Sequence, residues 1–198
     1  MKNYKKNFEI LKKNNVYSEE MEHDACGVGL IASTEGKKSR KIVEYGIEAL
    51  KAVWHRGAVD ADGKTGDGAG IHVEIPKDFF IEKVEVTGHT YDNSEICVGM
   101  IFLPRNDYAA QESCKTIVES ELTKNDFSIY GWRQVPVNPK VLGEKAFQTM
   151  PEIIQVLFKS NNPELLNKDL ERKIYETRRI IENKAFQISL NNFYICSL

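Results

Sequence analysis

Cys26 stands in the stretch Glu22-His23-Asp24-Ala25-Cys26-Gly27-Val28-Gly29-Leu30-Ile31, where a polar leader meets an apolar, glycine-punctuated run. A cut between Ala25 and Cys26 makes this thiol the side chain of a first residue, which then carries its own base. A terminal α-amine titrates near ~8, against ~10.4 for lysine, so a useful fraction is unprotonated at neutral pH. A free amine takes the thiol proton; an amide nitrogen does not. Enzymes with an N-terminal threonine use the same arrangement. The ordinary alternative is a small buried hydrophobe at the start of a strand, so the nucleophile reading needs support from elsewhere in the chain.

Three other stretches bear on chemistry. Trp54-His55-Arg56-Gly57-Ala58 ends a predicted helix. Arg56 there is able to reach over a site and hold a carboxylate with two prongs, or else to complete the helix C-terminus. Lys64-Thr65-Gly66-Asp67-Gly68-Ala69-Gly70 invites a phosphate-loop reading, but it has neither GxxxxGK[ST] nor a complete GxGxxG. A glycine-rich turn that lets a strand approach a ligand fits better, with Asp67 as a functional carboxylate or as a turn former. His23, His55, His72 and His89 share no metal-ligand spacing and no HExxH is present, so no metal is expected. A papain-like pairing of Cys26 with His55 or His72 is the competing base arrangement; the residues around Cys26 do not resemble those enzymes.

The elements that must position these residues follow from pattern. Residues 1–25 read as a leader, with a short helix over Glu9–Lys13. Residues 26–32 read as a buried strand. Ser39 caps a helix with Val43, Ile47, Leu50 and Trp54 at helical spacing. Residues 58–70 read as a loop, 69–75 as a second strand and 81–95 as an exposed loop region. Strands are predicted over 96–103, 127–137, 151–158 and 193–198, and helices over 107–123 and 168–187. A last strand without a following turn suggests a truncated chain. The mixture points to α+β with layered sheets.

Composition bounds the rest. The chain has 198 residues, 41% hydrophobic and 28% charged, with a formal net charge of −2. That is enough for a real core and gives no electrostatic case for nucleic acid or a membrane surface. No apolar run approaches the ~20 residues of a membrane span, and the lysine-rich start lacks the apolar stretch of a signal peptide, so a cytoplasmic protein is expected. Of the four cysteines, Cys97, Cys114 and Cys196 lie in apolar patterns and read as packing residues. None forms a CxxC pair, and disulfides are not expected in a reducing compartment.

With these residues in view, the chain resembles the class II glutamine amidotransferases of the N-terminal-nucleophile type. CG at the nucleophile and HRG after the first helix occur across that family. HRGA, then KTGDGAGI over Lys64–Ile71, then Gly131-Trp132-Arg133-Gln134-Val135-Pro136-Val137 and Phe193-Tyr194-Ile195-Cys196-Ser197-Leu198 resemble its glutamate synthase branch. The similarity covers essentially all of residues 22–198.

The resemblance implies a four-layer αββα sandwich, incomplete at its C-terminus, and two parts: a propeptide, 1–25, cleaved at Ala25–Cys26, and an amidotransferase portion, 26–198. It implies that Cys26 attacks the side-chain amide of L-glutamine and releases ammonia. The ammonia passes to a synthase domain of the same full-length chain for reductive amination of 2-oxoglutarate. Arg56 is carried over as a substrate-binding helper. FMN and an iron–sulfur cluster are implied for the remainder and no cofactor for this fragment, with a small electron-transfer subunit as a further partner. The family's oxyanion-hole and glutamine-gripping residues are expected past Leu198. A missing oxyanion donor costs ~100–1000-fold in rate, so the isolated piece is expected to be nearly inactive. The competing readings are another class II amidotransferase and a silent binding or structural module.

Overall fold

The computed structural model describes residues 2–13, 27–190 and 192–198, with Arg56 described by its backbone. Ala25 and Cys26, and with them the cleavage site and the nucleophile, lie outside the described residues. The chain divides into two packed units. One takes the described residues up to Ala58 together with Ala69–Ile71; the other takes Val59–Gly68 and His72–Leu198.

The first unit holds helix α1 (Lys2–Lys13), helix α2 (Arg40–Ala52) and a 3-10 turn over Trp54–Arg56. Val43, Ile47 and Leu50 of α2 are half-buried at the expected spacing, joined by Ile42, whereas Trp54 falls in the 3-10 turn and is 76% exposed. Ser39 does occupy the N-cap position with extended backbone, but its hydroxyl makes no capping hydrogen bond. Ile71 comes to rest on Gly46, where an added Cβ would meet its Cδ1 at 3.1 Å.

Two expected strands do not form. Residues 27–33 have no regular structure, and Val28 and Leu30 are 95% and 88% exposed. Residues 69–75 are also irregular, with Ile71, Val73 and Ile75 exposed. Apolar alternation marks a segment fit for a sheet, but a strand forms only where another strand takes its backbone groups. Among the described residues neither segment has that partner.

The second unit is built on one antiparallel sheet. Its strands are β1 (Cys97–Leu103), β2 (Phe127–Gln134), β3 (Glu152–Ser160) and β4 (Tyr194–Ser197), in the order β2-β3-β1-β4. Helices α4 (Tyr108–Lys124) and α6 (Asn167–Gln187) cover one face. There Ile101, Leu103, Val156, Phe158 and Ile195 meet Cys114, Val118, Leu122, Ile174 and Ile181. Fully burying each aliphatic side chain is worth ~1.5–3 kcal/mol, so this face is where the unit's stability resides. Glu121 of α4 accepts from Lys184 of α6 at 2.6 Å and from Lys124 at 3.0 Å, tying the two helices together.

The other face of the sheet is partly covered by a helix that pattern reading missed. α3 (Lys77–Val86) replaces the first part of the loop expected over 81–95. Phe80 and Val84 are its buried residues, packed with Tyr130, Leu157 and Ile96. With Phe79 and Val86 exposed beside the inward Phe80, Ile81 and Val84, its apolar residues lie on more than one side and the helical period is blurred. Cys97 and Cys114 are buried as expected, whereas Cys196 is exposed, because β4 turns Ile195 and not Cys196 into the core.

A bulge bends β2. Ile129 faces Phe158 and Gly131 faces Leu157, so Tyr130 is the additional residue between them. Gly131 takes φ 145, and a Cβ there would meet Thr87 Cγ2 at 2.8 Å. Only glycine serves both conditions. The α+β class is therefore as expected. The described residues display one sheet and its helices, and among them no second sheet is formed. No described helix is long and apolar enough to cross a membrane.

Candidate functional site

Among the described residues, the marked ones of the first unit lie around its 3-10 turn. Gly57 N–H closes the 3-10 turn on the Trp54 carbonyl at 3.0 Å. His55 Nδ1 lies 3.1 Å from the Ala52 carbonyl oxygen, a contact in which the ring nitrogen donates. His55 and His72 are both exposed. The Arg56 side chain and Cys26 are not among the described atoms, so no distance joins them to these rings.

Residues 59–66 then form a miniature hairpin. Val59 and Gly66 pair as an antiparallel bridge. Asp60 N–H donates to the Thr65 carbonyl at 2.7 Å, and Gly63 N–H to the Asp60 carbonyl at 2.9 Å. Gly63 supplies φ 68 at the tip. The Asp62 carboxylate closes the turn from inside. Its Oδ1 accepts from Lys64 N at 2.9 Å and Thr65 N at 2.7 Å, and its Oδ2 accepts from the Thr65 hydroxyl at 2.5 Å. The Thr65 hydroxyl foremost, then the Thr65 and Lys64 amides, hold the Asp62 carboxyl well below the usual carboxylate range. This explains physically why the sequence is not a phosphate loop. The Lys64 and Thr65 amides, two of those a phosphate loop would offer, already donate to a resident carboxylate.

The hairpin is seated on a distant segment. Lys145 Nζ donates to Asp60 Oδ2 at 2.6 Å, and Ala146 N approaches Thr65 Oγ1 at 3.5 Å. Both lie at the start of α5 (Glu144–Thr149), which follows a buried Gly143. Sequence reasoning had marked Asp67 and missed Asp62, Thr65, Gly143 and Lys145. Asp60-Ala61-Asp62-Gly63 was a turn signal in plain view; its partner across more than eighty residues had no signal at all.

The GWRQVPV stretch proves to be framework. Gly131 makes the bulge, and Trp132 Nε1 donates to Glu119 of α4 at 2.6 Å. Arg133 Nη1 donates to Gln155 Oε1 at 2.6 Å, and its guanidinium lies 5.2 Å from the Phe79 ring centre. The described cysteines are poor nucleophiles where buried. Burial, then the charges of Glu95 and Glu171, pushes the Cys97 thiol up to about 12; burial pushes Cys114 up to about 11. Among the described residues no group of three or more His, Cys, Asp or Glu side chains could hold a metal ion.

Residues 26–198 match the family of glutamine amidotransferases class-II. The chain is 52% identical over 195 residues to the large chain of the NADPH glutamate synthase of Azospirillum brasilense, covering 98% of this chain and 13% of that protein. It is 38% identical over 195 residues to the chloroplastic ferredoxin-dependent glutamate synthase 2 of Arabidopsis thaliana, covering 96% of this chain and 12% of that one. It is 39% identical over 197 residues to the ferredoxin-dependent glutamate synthase of Pyropia yezoensis, again 12% of the relative's length.

Proposed function

Because the chain belongs to the class II glutamine amidotransferases, we propose that it is the glutamine-splitting part of a glutamate synthase, with Cys26 as its nucleophile. The observation that carries this reading is the family match, which starts at Cys26 itself. The chemistry of a terminal cysteine supports it. With the leader removed at Ala25–Cys26, the free amine takes the thiol proton and the sulfur attacks the side-chain amide carbon of L-glutamine. The tetrahedral intermediate collapses as the amine returns its proton to the leaving nitrogen, which departs as ammonia. Water then attacks the thioester, giving up a proton to the same amine, and glutamate leaves as the sulfur regains its hydrogen. Arg56 binds the substrate beside this centre.

The reading continues into the whole protein. Ammonia is used there by a synthase domain that aminates and reduces 2-oxoglutarate to L-glutamate. FMN and an iron–sulfur cluster serve that domain, with a small electron-transfer subunit as a partner. The described cysteines do not assemble an iron–sulfur site. Cys97 and Cys114 are buried and protonated, and no metal-ligating cluster accompanies Cys196. Relatives named for NADPH and for ferredoxin match the same stretch. The proposed compartment is the cytoplasm, a reading supported by a lysine-rich start without the apolar run of a signal peptide.

The test uses the whole protein. N-terminal sequencing is expected to start at Cys26, and diazo-oxo-norleucine to label Cys26 alone. Cys26→Ala is expected to lower glutamine hydrolysis by on the order of 10⁴-fold or more. A mature protein that keeps its first residues and still splits glutamine would remove the α-amine from the mechanism.

A further inference from the structure

We propose that Gly143 and Lys145 are positioning residues for glutamine splitting, because they seat the Asp60–Thr65 turn and so fix where Gly66-Asp67-Gly68 is presented. The proposal rests on the amidotransferase reading above and adds two residues to it.

The turn is rigid in itself, so it moves as a piece. Asp62 gathers the Lys64 and Thr65 amides and the Thr65 hydroxyl around one carboxylate. What locates that piece is Gly143–Ala146. Gly143 has φ −72 and ψ 166, an extended backbone that any residue adopts. Its glycine identity is therefore a matter of space and not of backbone freedom. A Cβ at 143 would overlap Asp62 Oδ2 and Thr65 Oγ1 and lie 2.5 Å from Thr65 N. A side-chain tip could swing away; the Thr65 backbone nitrogen cannot without dragging the turn.

Lys145 adds an attachment from the other side. Its ammonium binds Asp60, and its amide is the least of the influences holding down the Asp62 carboxyl. The small helix carrying it, α5, has no buried residue. Besides the turn, it meets the Arg105 guanidinium, 4.8 Å from the Phe147 ring centre. Thr65 is followed at once by Gly66 and Asp67, within the motif that carries the resemblance. A shift of the turn is a shift of that segment.

The experiment compares glutamine-dependent with ammonia-dependent glutamate formation in the whole protein. Added ammonia bypasses glutamine splitting, so it reports on the rest of the enzyme. Gly143→Ala is expected to lower kcat/KM for glutamine by about tenfold or more while the ammonia-dependent rate stays within twofold. Lys145→Ala breaks an exposed ion pair and is expected to cost about 2- to 5-fold. Lys145→Arg, and the charge exchange Asp60→Lys with Lys145→Asp, are expected to recover most of that loss. Wild-type glutamine kinetics in Gly143→Ala would overturn the proposal. Should Gly143→Ala depress both rates, the Lys145 series decides, since those variants add no atom to a packed contact: an unchanged glutamine rate in Lys145→Ala, or no recovery on charge exchange, overturns it. A wild-type protein that uses ammonia but never glutamine would instead sink the amidotransferase reading itself.

Discussion

Two apolar segments of this chain are built from nearly the same residues and meet opposite fates. Cys97–Leu103, Cys-Val-Gly-Met-Ile-Phe-Leu, is β1, with β3 and β4 on either side and Ile101 and Leu103 fully buried. Residues 27–33, Gly-Val-Gly-Leu-Ile-Ala-Ser, form no strand and expose Val28 and Leu30. The glycines tell the same story. A Cβ on Gly99 would strike Val156 Cγ1 at 2.6 Å and Leu198 Cδ1 at 2.8 Å, whereas Gly27 and Gly29 have nothing within 4 Å. Local sequence decides what a segment is able to become, and its neighbours decide whether it does. This is the usual reason that β-propensity depends so strongly on context.

The contrast is open to measurement. The largest effect is expected from Ile101→Ala, which leaves a cavity between β1 and the α4–α6 layer and costs ~2–5 kcal/mol in urea unfolding. Leu30→Ala, at an 88% exposed position, is expected to stay within about 0.5 kcal/mol. A comparable loss at Leu30 would show that residues 27–33 are packed in solution after all. Next in size, Gly99→Val is expected to cost ~1–3 kcal/mol by overpacking, while Gly29→Val leaves unfolding unchanged within about 0.5 kcal/mol.

Alkylation sharpens the contrast at the level of single thiols. Iodoacetamide at pH 8, read by mass spectrometry of the folded chain, is expected to modify Cys196 and to spare Cys97 and Cys114. Equal labelling of all three would mean that β1 opens readily.

The smallest effect is a pH dependence. The fold keeps the Cys97 thiol protonated, raising it from its ordinary 9.0 to about 12, chiefly by burial. Stability from this group is complete below pH 9 and declines as pH climbs from 9 toward 12, because the unfolded chain releases the proton first. Cys97→Ala is expected to flatten that decline in a pH series of urea midpoints. A decline of the same steepness would assign it to other groups, among them Tyr130, whose hydroxyl is also shifted upward by burial and by the nearby Asp92.

The same contrast explains what was legible in the sequence. β1 and β3 could be read from their apolar runs, and α4 and α6 from their helical spacing. α2 could be read for its spacing, although its Ser39 hydroxyl does not cap it. α3 was lost because the exposed Phe79 and Val86 blur the period of the inward Phe80, Ile81 and Val84. The strands expected at 26–32 and 69–75 were misread because pattern carries no information about pairing. At the candidate site, Cys26, Arg56 and the glycine-rich stretch were marked from residue type and motif. The seat at Gly143 and Lys145 was invisible, since a glycine that is needed for space looks like any other glycine until its neighbour is known.

The bulge at Tyr130 and Gly131 has a bearing on solubility. β2 is a terminal strand of the sheet among the described residues, and a flat terminal strand offers its unpaired amides and carbonyls to any passing chain. By kinking that rim halfway along its length, the additional residue breaks the straight template that stacking of one molecule on another would require. The glycine that makes the kink possible therefore interrupts the straight edge while it shapes the sheet.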